Sequence, residues 1–364
     1  MPEIAAAQVV PLYLFDVAEA IDLAQVPALV GAESAKASLK PKSATPSYVR
    51  YAQPPVIVDA DALGLPPLDG FRVRLKIFDY GIVSLALSVD FRGSWVELIA
   101  LAQRLIDDER LESQAEDYAR KLLERLRPAA TDPHATLLGE DYVIVAVTEI
   151  DPYSTADTLL AERGEELALL LRGERLPLSR QEKEEVLRHR LSYLADDLVI
   201  PTWNTAFVYD TTAGVQAALE IMEFANSQLL QYRYYDERLD AELGRIYADL
   251  NAPRWYHAFV GRRYTNAAQQ LHGLFIEVNE LTDRTDNALK IAGDVYTARL
   301  VTLVAARLGV DQWKASVQEK LKTLDDIYRF TVEQTGLARG QFLELTIVLI
   351  LLFELFLFFI GVMR

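Results

Sequence analysis

The chain has 364 residues, with 53 acidic and 37 basic side chains, a formal net charge of −16 and no cysteine. The acidity argues against general affinity for nucleic acid or anionic head groups. The missing cysteines exclude disulfides, thiolate metal sites and cysteine nucleophiles.

The length suffices for two or three structural units with a sizeable core. The opening MPEIAAAQVVPLYLF lacks a basic stretch followed by a long apolar run, so no signal peptide is expected. VVPLYLF (9–15) reads as a strand and VAEAIDLAQVPALV (17–30) as a helix. Residues 31–55, rich in Lys, Ser, Ala and Pro, read as an exposed insertion. FRVRLKIF (71–78) and IVSLALSV (82–89) are strands around a hairpin-turn signal, Asp79-Tyr80-Gly81. A helix with a charged face runs from Ser94 to about Leu126, and DYVIVAVTEI (141–150) is a strand. The order β-α-β-β-α-β predicts an α+β fold that begins with a ferredoxin-like domain over residues 1–150.

A helical connector and a strand pair are expected over 151–210. Long helical periodicity follows over 212–250 and 264–308. Met222, Ala225, Leu229, Tyr232, Asp236 and Leu239 step by three and four, a heptad seam with an acid inside it. A long-helix bundle or coiled coil is therefore expected over 211–340, with the helices antiparallel. Whether the seam closes within one chain or between chains stays open.

The last segment, 342–362, has 21 residues, of which seventeen are Leu, Ile, Val or Phe. As a helix it is long enough to cross about 30 Å of hydrocarbon. Its apolar side chains contribute about −5 to −10 kcal/mol on an insertion scale, against about +2.5 to +3.5 for a central carboxylate. A C-terminal transmembrane helix is expected. Lys322, Arg329 and Arg339 precede it and only Arg364 follows, which predicts a tail anchor with the N-terminal bulk cytoplasmic. Glu344 lies at the entry of this span and Glu354 about 15 Å deeper. Both are expected to serve membrane association, Glu354 through a polar partner on another helix.

Motifs for chemistry are sparse. His134, His189, His257 and His272 are scattered without metal-ligand spacing. There is no phosphate loop, dinucleotide fingerprint or nucleophile elbow. No catalytic residue, metal or cofactor is predicted. Arg254, Arg262 and Arg263 stand among aromatics in a helix connection. They read either as a phosphate or RNA contact or as arginines stacked on rings at a bundle end. Arg233, Tyr235 and Asp236 read either as a polar layer of the helix bundle or as a surface face.

EKLKTLDDIYRFTVEQTGLARGQFLELTIVLILLFE (319–354) resembles the C-terminal end of the required-for-meiotic-nuclear-division, or YagE-like, family. That family has a Leu-Glu-Trp-like step before a membrane segment with a second Glu ten residues on. Leu343-Glu344 and Glu354 have that spacing, and Leu345 stands where the family has Trp. KIFDYGIVSLAL (76–87) is similar to the family's Phe-x-Tyr-Gly-x-Val segment, and residues 280–300 to the helical region of its bacterial members. The resemblance implies a membrane-anchored oligomeric scaffold, at a bacterial inner membrane or on the matrix side of a mitochondrial one. It carries no catalytic residue. The function expected from the sequence is thus a tail-anchored homo-oligomeric scaffold, with the lipid bilayer and a membrane or cytosolic protein as partners. The alternatives are an enzyme with a carboxylate-based site in the N-terminal domain and an RNA-contacting factor at the membrane.

Overall fold

The computed structural model describes residues 3–30, 53–60, 68, 70–106, 108–250, 273–283, 295–327, 329 and 347–352. The chain divides into two units. Unit 1 comprises Met1–Tyr234 and Leu281–Lys314, and unit 2 comprises Tyr235–Glu280 and Ala315–Arg364.

Unit 1 is built on a seven-stranded sheet. Its strands are β1 (Glu3–Ile21), β2 (Val56–Asp59), β3 (Arg72–Ile77), β4 (Ile82–Gly93), β5 (Ala130–Asp151), β6 (Leu198–Pro201) and β7 (Thr205–Tyr209). They lie in the order β2-β3-β4-β1-β5-β7-β6. All neighbours are antiparallel except β5 and β7, which are parallel. The β3–β4 turn needs a residue that tolerates positive φ. Gly81 has φ +81°, and a Cβ there would sit 1.6 Å from the Ala18 carbonyl oxygen, so only glycine fits.

Side chains alternate across each strand. Leu75, Ile77, Val83, Leu85 and Leu87 point to one face and form a single apolar core with helices α1 (Val26–Leu29), α2 (Trp95–Leu105), α3 (Glu109–Leu126), α4 (Ala156–Arg172) and α5 (Arg180–Arg188). The starts of α2, α3, α4 and α5 are encoded locally by Ser94, Asp108, Thr155 and Ser179, whose side chains accept backbone N–H groups of the first turn. At α2 the capping box is complete, with Glu97 bonding back to the Ser94 N–H at 2.9 Å.

The other face of the sheet carries the 39-residue helix α6 (Thr212–Leu250), whose residues up to Tyr234 belong to unit 1. Helix α7 (Val295–Leu308) packs beside β6. Residues 273–283, 310–327 and 347–352 are also helical. Within unit 2, Arg238 of α6 pairs with Glu277 at 3.2 Å. Lys320 bridges Asp236 at 2.8 Å and Asp240 at 2.6 Å.

Several expectations meet the structure differently. The N-terminal region is not a ferredoxin-like β-α-β-β-α-β domain but part of one large mixed sheet. The helix expected over 17–30 shrinks to Val26–Leu29, because β1 continues to Ile21 and pairs there with Ala130 of β5. The strand pair expected within 151–210 is present as β6–β7, and it extends the same sheet beside β5. The start of α6 is not a two-sided coiled-coil seam. Residues 221–232 are all buried, whereas a heptad seam leaves its outer positions in water.

The transmembrane helix over 342–362, and with it the tail anchor and the single-pass localisation, is also corrected. Among the described residues no helix is long and apolar enough to cross a membrane. Of that segment the described part is 347–352, where six helical residues span about 9 Å against about 30 Å of hydrocarbon. Glu344 and Glu354 lie outside the described residues.

Candidate functional site

The polar face of β3 begins the site. Arg72, Arg74 and Lys76 alternate with Val73, Leu75 and Ile77, so the cations project toward α6 while the apolar residues enter the core. Lys76 is only 6% exposed, and it donates to Glu223 of α6, itself 8% exposed. The second carboxylate oxygen of Glu223 accepts from the Ser84 hydroxyl at 2.6 Å. Lys76 and Ser84 are cross-strand partners on β3 and β4, so one glutamate is gripped by two adjacent strands. One turn further on, the Tyr80 hydroxyl bonds Ser227 at 2.9 Å, and the Gln231 amide donates to the Tyr80 carbonyl at 3.1 Å. These contacts fix where α6 lies on the sheet.

Beside this anchor a two-lobed groove opens between α6 and strands β1 to β5. The first lobe, about 590 Å³, has Lys76, Glu223, Ala86 and Ser88 in its lining together with Ile57 and Asp59 of β2. The second, about 630 Å³, runs past Asp90, Arg92, Ala146 and Thr148 to the start of α6 at Thr212. Gln8, Arg74, Gln216 and Leu219 line both lobes and mark their junction. Arg72 is held by Asp90 at 2.6 Å, and Gln8 donates to the same carboxylate at 3.0 Å. Arg74 and Arg92, both exposed, have no ion-pair or hydrogen-bond partner among the described residues.

Other charged clusters of unit 1 lie outside this groove. Asp16 of β1 is buried, and its desolvation pushes the carboxyl well above the usual range. His134 Nε2 stands 3.8 Å from it, and the His134 ring packs against Tyr234 with centroids 4.8 Å apart. Glu140 is pushed up by burial, opposed by the Arg233 guanidinium that pairs with it. Asp210 is raised by burial and lowered in part by the Thr211 N–H and hydroxyl. Among the described residues no group of three His, Asp or Glu side chains is placed to hold a metal ion.

The residues singled out from the sequence fall elsewhere. Arg233 pairs with Glu140 of the sheet. Tyr235 and Asp236 are buried in unit 2, where Asp236 accepts from the Ser316 hydroxyl at 2.8 Å and bonds Lys320. Lys320 is raised despite a burial cost, because bonds and attraction from Asp236 and Asp240 outweigh it. Arg254, Arg262 and Arg263 lie outside the described residues. The groove residues Lys76, Arg74, Gln8, Gln216 and Glu223 were missed. The signal available was the pair of acids Glu220 and Glu223 inside the otherwise apolar run ALEIMEF, matched by a single lysine in the strand RVRLKI.

Comparison with known proteins places this architecture in a family. The model of a family described as "Uncharacterized protein MJ0711, N-terminal domain" matches residues 6–216, which include all seven strands and the first residues of α6. The chain belongs to that family. It is similar to the protein MJ0711 of Methanocaldococcus jannaschii, with 24% identity over 287 residues that cover 79% of this chain and 81% of that one. No solved structure matches.

Proposed function

We propose that this member of the MJ0711 family is a non-catalytic interaction protein that takes a small ligand into the groove beneath α6 and assembles as a homo-oligomer. The carrying observation is the construction of the groove. Its size suits a small-molecule site, and its floor is a closed network in which both oxygens of Glu223 are occupied by Lys76 and Ser84. A carboxylate tied in this way holds the walls of the groove together. The polar groups that remain, on Arg74 and Gln216 and at the side-chain carbonyl of Gln8, suit recognition. A scaffold without catalysis is also what the resemblance to the required-for-meiotic-nuclear-division family implies.

The test is a thermal-shift screen of the full chain against a metabolite collection. It is run in parallel on Ala86→Trp, which places an indole in the first lobe. At least one compound is expected to raise the wild-type melting temperature, to leave the Ala86→Trp variant unmoved, and to be recovered chemically unchanged. Equal stabilisation of both proteins would overturn the groove as the site, and conversion of the compound would overturn the non-catalytic reading. Light scattering of the same sample checks the assembly, and a monomer at all concentrations would remove it from the proposal.

A further inference from the structure

The groove also indicates what kind of ligand it takes, an inference that rests on the ligand-binding reading above. Four cations line the two lobes, and two of them are neutralised within the walls. Lys76 is held by Glu223 and Arg72 by Asp90. Arg74 and Arg92 are left without such a partner among the described residues. Arg74 pairs across the strands with Ala86, and Arg92 lies six residues further along β4, about 20 Å away at the rise of an extended strand. They are therefore separate anchoring points and not one clamp.

Arg74 is the better placed of the two. It stands at the junction of the lobes, whose lining Gln8 and Gln216 share, and directly across from Asp59 of β2. A planar guanidinium with its donor fork open suits a tetrahedral oxyanion, which it binds through two parallel hydrogen bonds. The lobe that opens from this point toward β2 has a mixed wall. Val10, Ile57 and Leu219 offer apolar surface, and the carboxylates of Glu220 and of Asp59, the residue opposite Arg74 on β2, can accept from hydroxyl or amino groups. A free inorganic anion would leave this lobe unused.

We propose that the groove binds a phosphorylated small molecule of nucleoside-monophosphate size, with its phosphate on Arg74 and its hydroxylated body in the lobe between α6 and β2. The protein as a whole is strongly acidic, so long-range attraction of such a ligand is weak and recognition rests on this local contact.

The test is calorimetric titration of the full chain with adenosine monophosphate, adenosine, inorganic phosphate and malate. The monophosphate is expected to bind, inorganic phosphate to compete with it at least tenfold more weakly, and adenosine and malate to give no heat. Arg74→Ala is expected to weaken the monophosphate at least tenfold, the scale of a charge-assisted hydrogen-bonded contact. Arg74→Lys is expected to restore part of the loss. Binding of adenosine as tightly as its monophosphate, or an Arg74→Ala variant with unchanged affinity, would overturn the phosphate assignment. So would malate binding as tightly as the monophosphate. Inorganic phosphate binding as tightly as the ester would overturn the role given to the lobe. If an uncharged compound binds and is lost in Ala86→Trp, the groove reading stands and the phosphate inference alone fails. If no compound of any charge is sensitive to Ala86→Trp, both fail.

Discussion

The two faces of the sheet in unit 1 both bury apolar side chains, but only the α6 face adds a set of buried polar contacts. On one, Leu75, Leu85 and Leu87 meet Leu98, Ala102 and Leu122 in a continuous apolar core. On the other, α6 is attached through buried polar contacts at Lys76, Ser84, Tyr80 and Gln231. Apolar contact is non-directional and tolerates small slides, provided that volume is conserved. Hydrogen bonds between buried groups tolerate almost none, because each displaced donor or acceptor loses its partner without regaining water. Both faces bury apolar surface, and on the α6 face the added polar contacts set position. The open groove lies on the face where position is set.

This contrast can be broken in four ways, beginning with the largest effect. Glu223→Ala strands the Lys76 ammonium in a dry site and is expected to cost about 3–5 kcal/mol in urea unfolding. Trp95 fluorescence serves as reporter, since that indole is buried in unit 1 near Phe207. The double change Lys76→Met with Glu223→Leu is expected to restore stability to within about 1 kcal/mol of wild type or to exceed it. Such recovery would show that the pair places α6 without adding net stability. A double variant as weak as Glu223→Ala would contradict that division of labour.

Leu98→Ala, on the apolar face, is expected to cost about 2–5 kcal/mol through lost burial and a residual cavity. No second substitution opposite it is expected to rescue it in the way the polar pair does. A loss under about 1 kcal/mol would mean that burial on this face does not stabilise the fold.

The third test uses pH. Burial raises the Asp16 carboxyl in the folded state above its ordinary value. The folded protein therefore holds this proton where the unfolded chain has already released it. The contribution to stability is fully present below the ordinary carboxylate range and is lost as pH rises through the raised folded-state value. Urea midpoints for wild type and Asp16→Asn, measured from about pH 4 to 8, should diverge in favour of the variant as pH rises. Parallel curves would contradict the assignment.

The smallest effect belongs to the surface. Arg180 and Glu184 are paired at 2.8 Å on exposed α5, and Arg180→Ala is expected to leave the urea midpoint unchanged within measurement error.

Local signals were readable where the chain decides structure within a few residues. The β3–β4 hairpin is written in alternating polarity around Asp79-Tyr80-Gly81, and the start of α2 in Ser94 with Glu97. What failed was decided at a distance. Val17 to Ile21 have the composition of a helix, yet they extend β1 because β5 offers partners at Pro133, Thr131 and Ala130. The heptad pattern of α6 was real as periodicity. It could not say that the helix packs on a sheet, since both surroundings ask for the same apolar spacing. The anchor of the groove joins residues 147 positions apart, and nothing near either one announces the other. The terminal apolar run points toward lipid, while the groove is assembled from modest residues on six elements, β1 to β5 and α6.

The central strand carries a consequence for how the molecule comes into being. β1 is paired along both edges, with Glu3 opposite Asp151 and Ile4 opposite both Gly93 and Ile150. Neither neighbour is close in the chain. The loops that must close before these pairings form are long, and such topologies fold slowly compared with helical ones. As the chain leaves the ribosome, its first strand has to wait through some 150 residues of synthesis before its second edge is covered. During that interval an apolar segment, VVPLYLF, presents unpaired backbone to any neighbour. Yield and aggregation on expression should therefore depend on translation speed and chaperone supply far more than the stability of the finished fold would suggest.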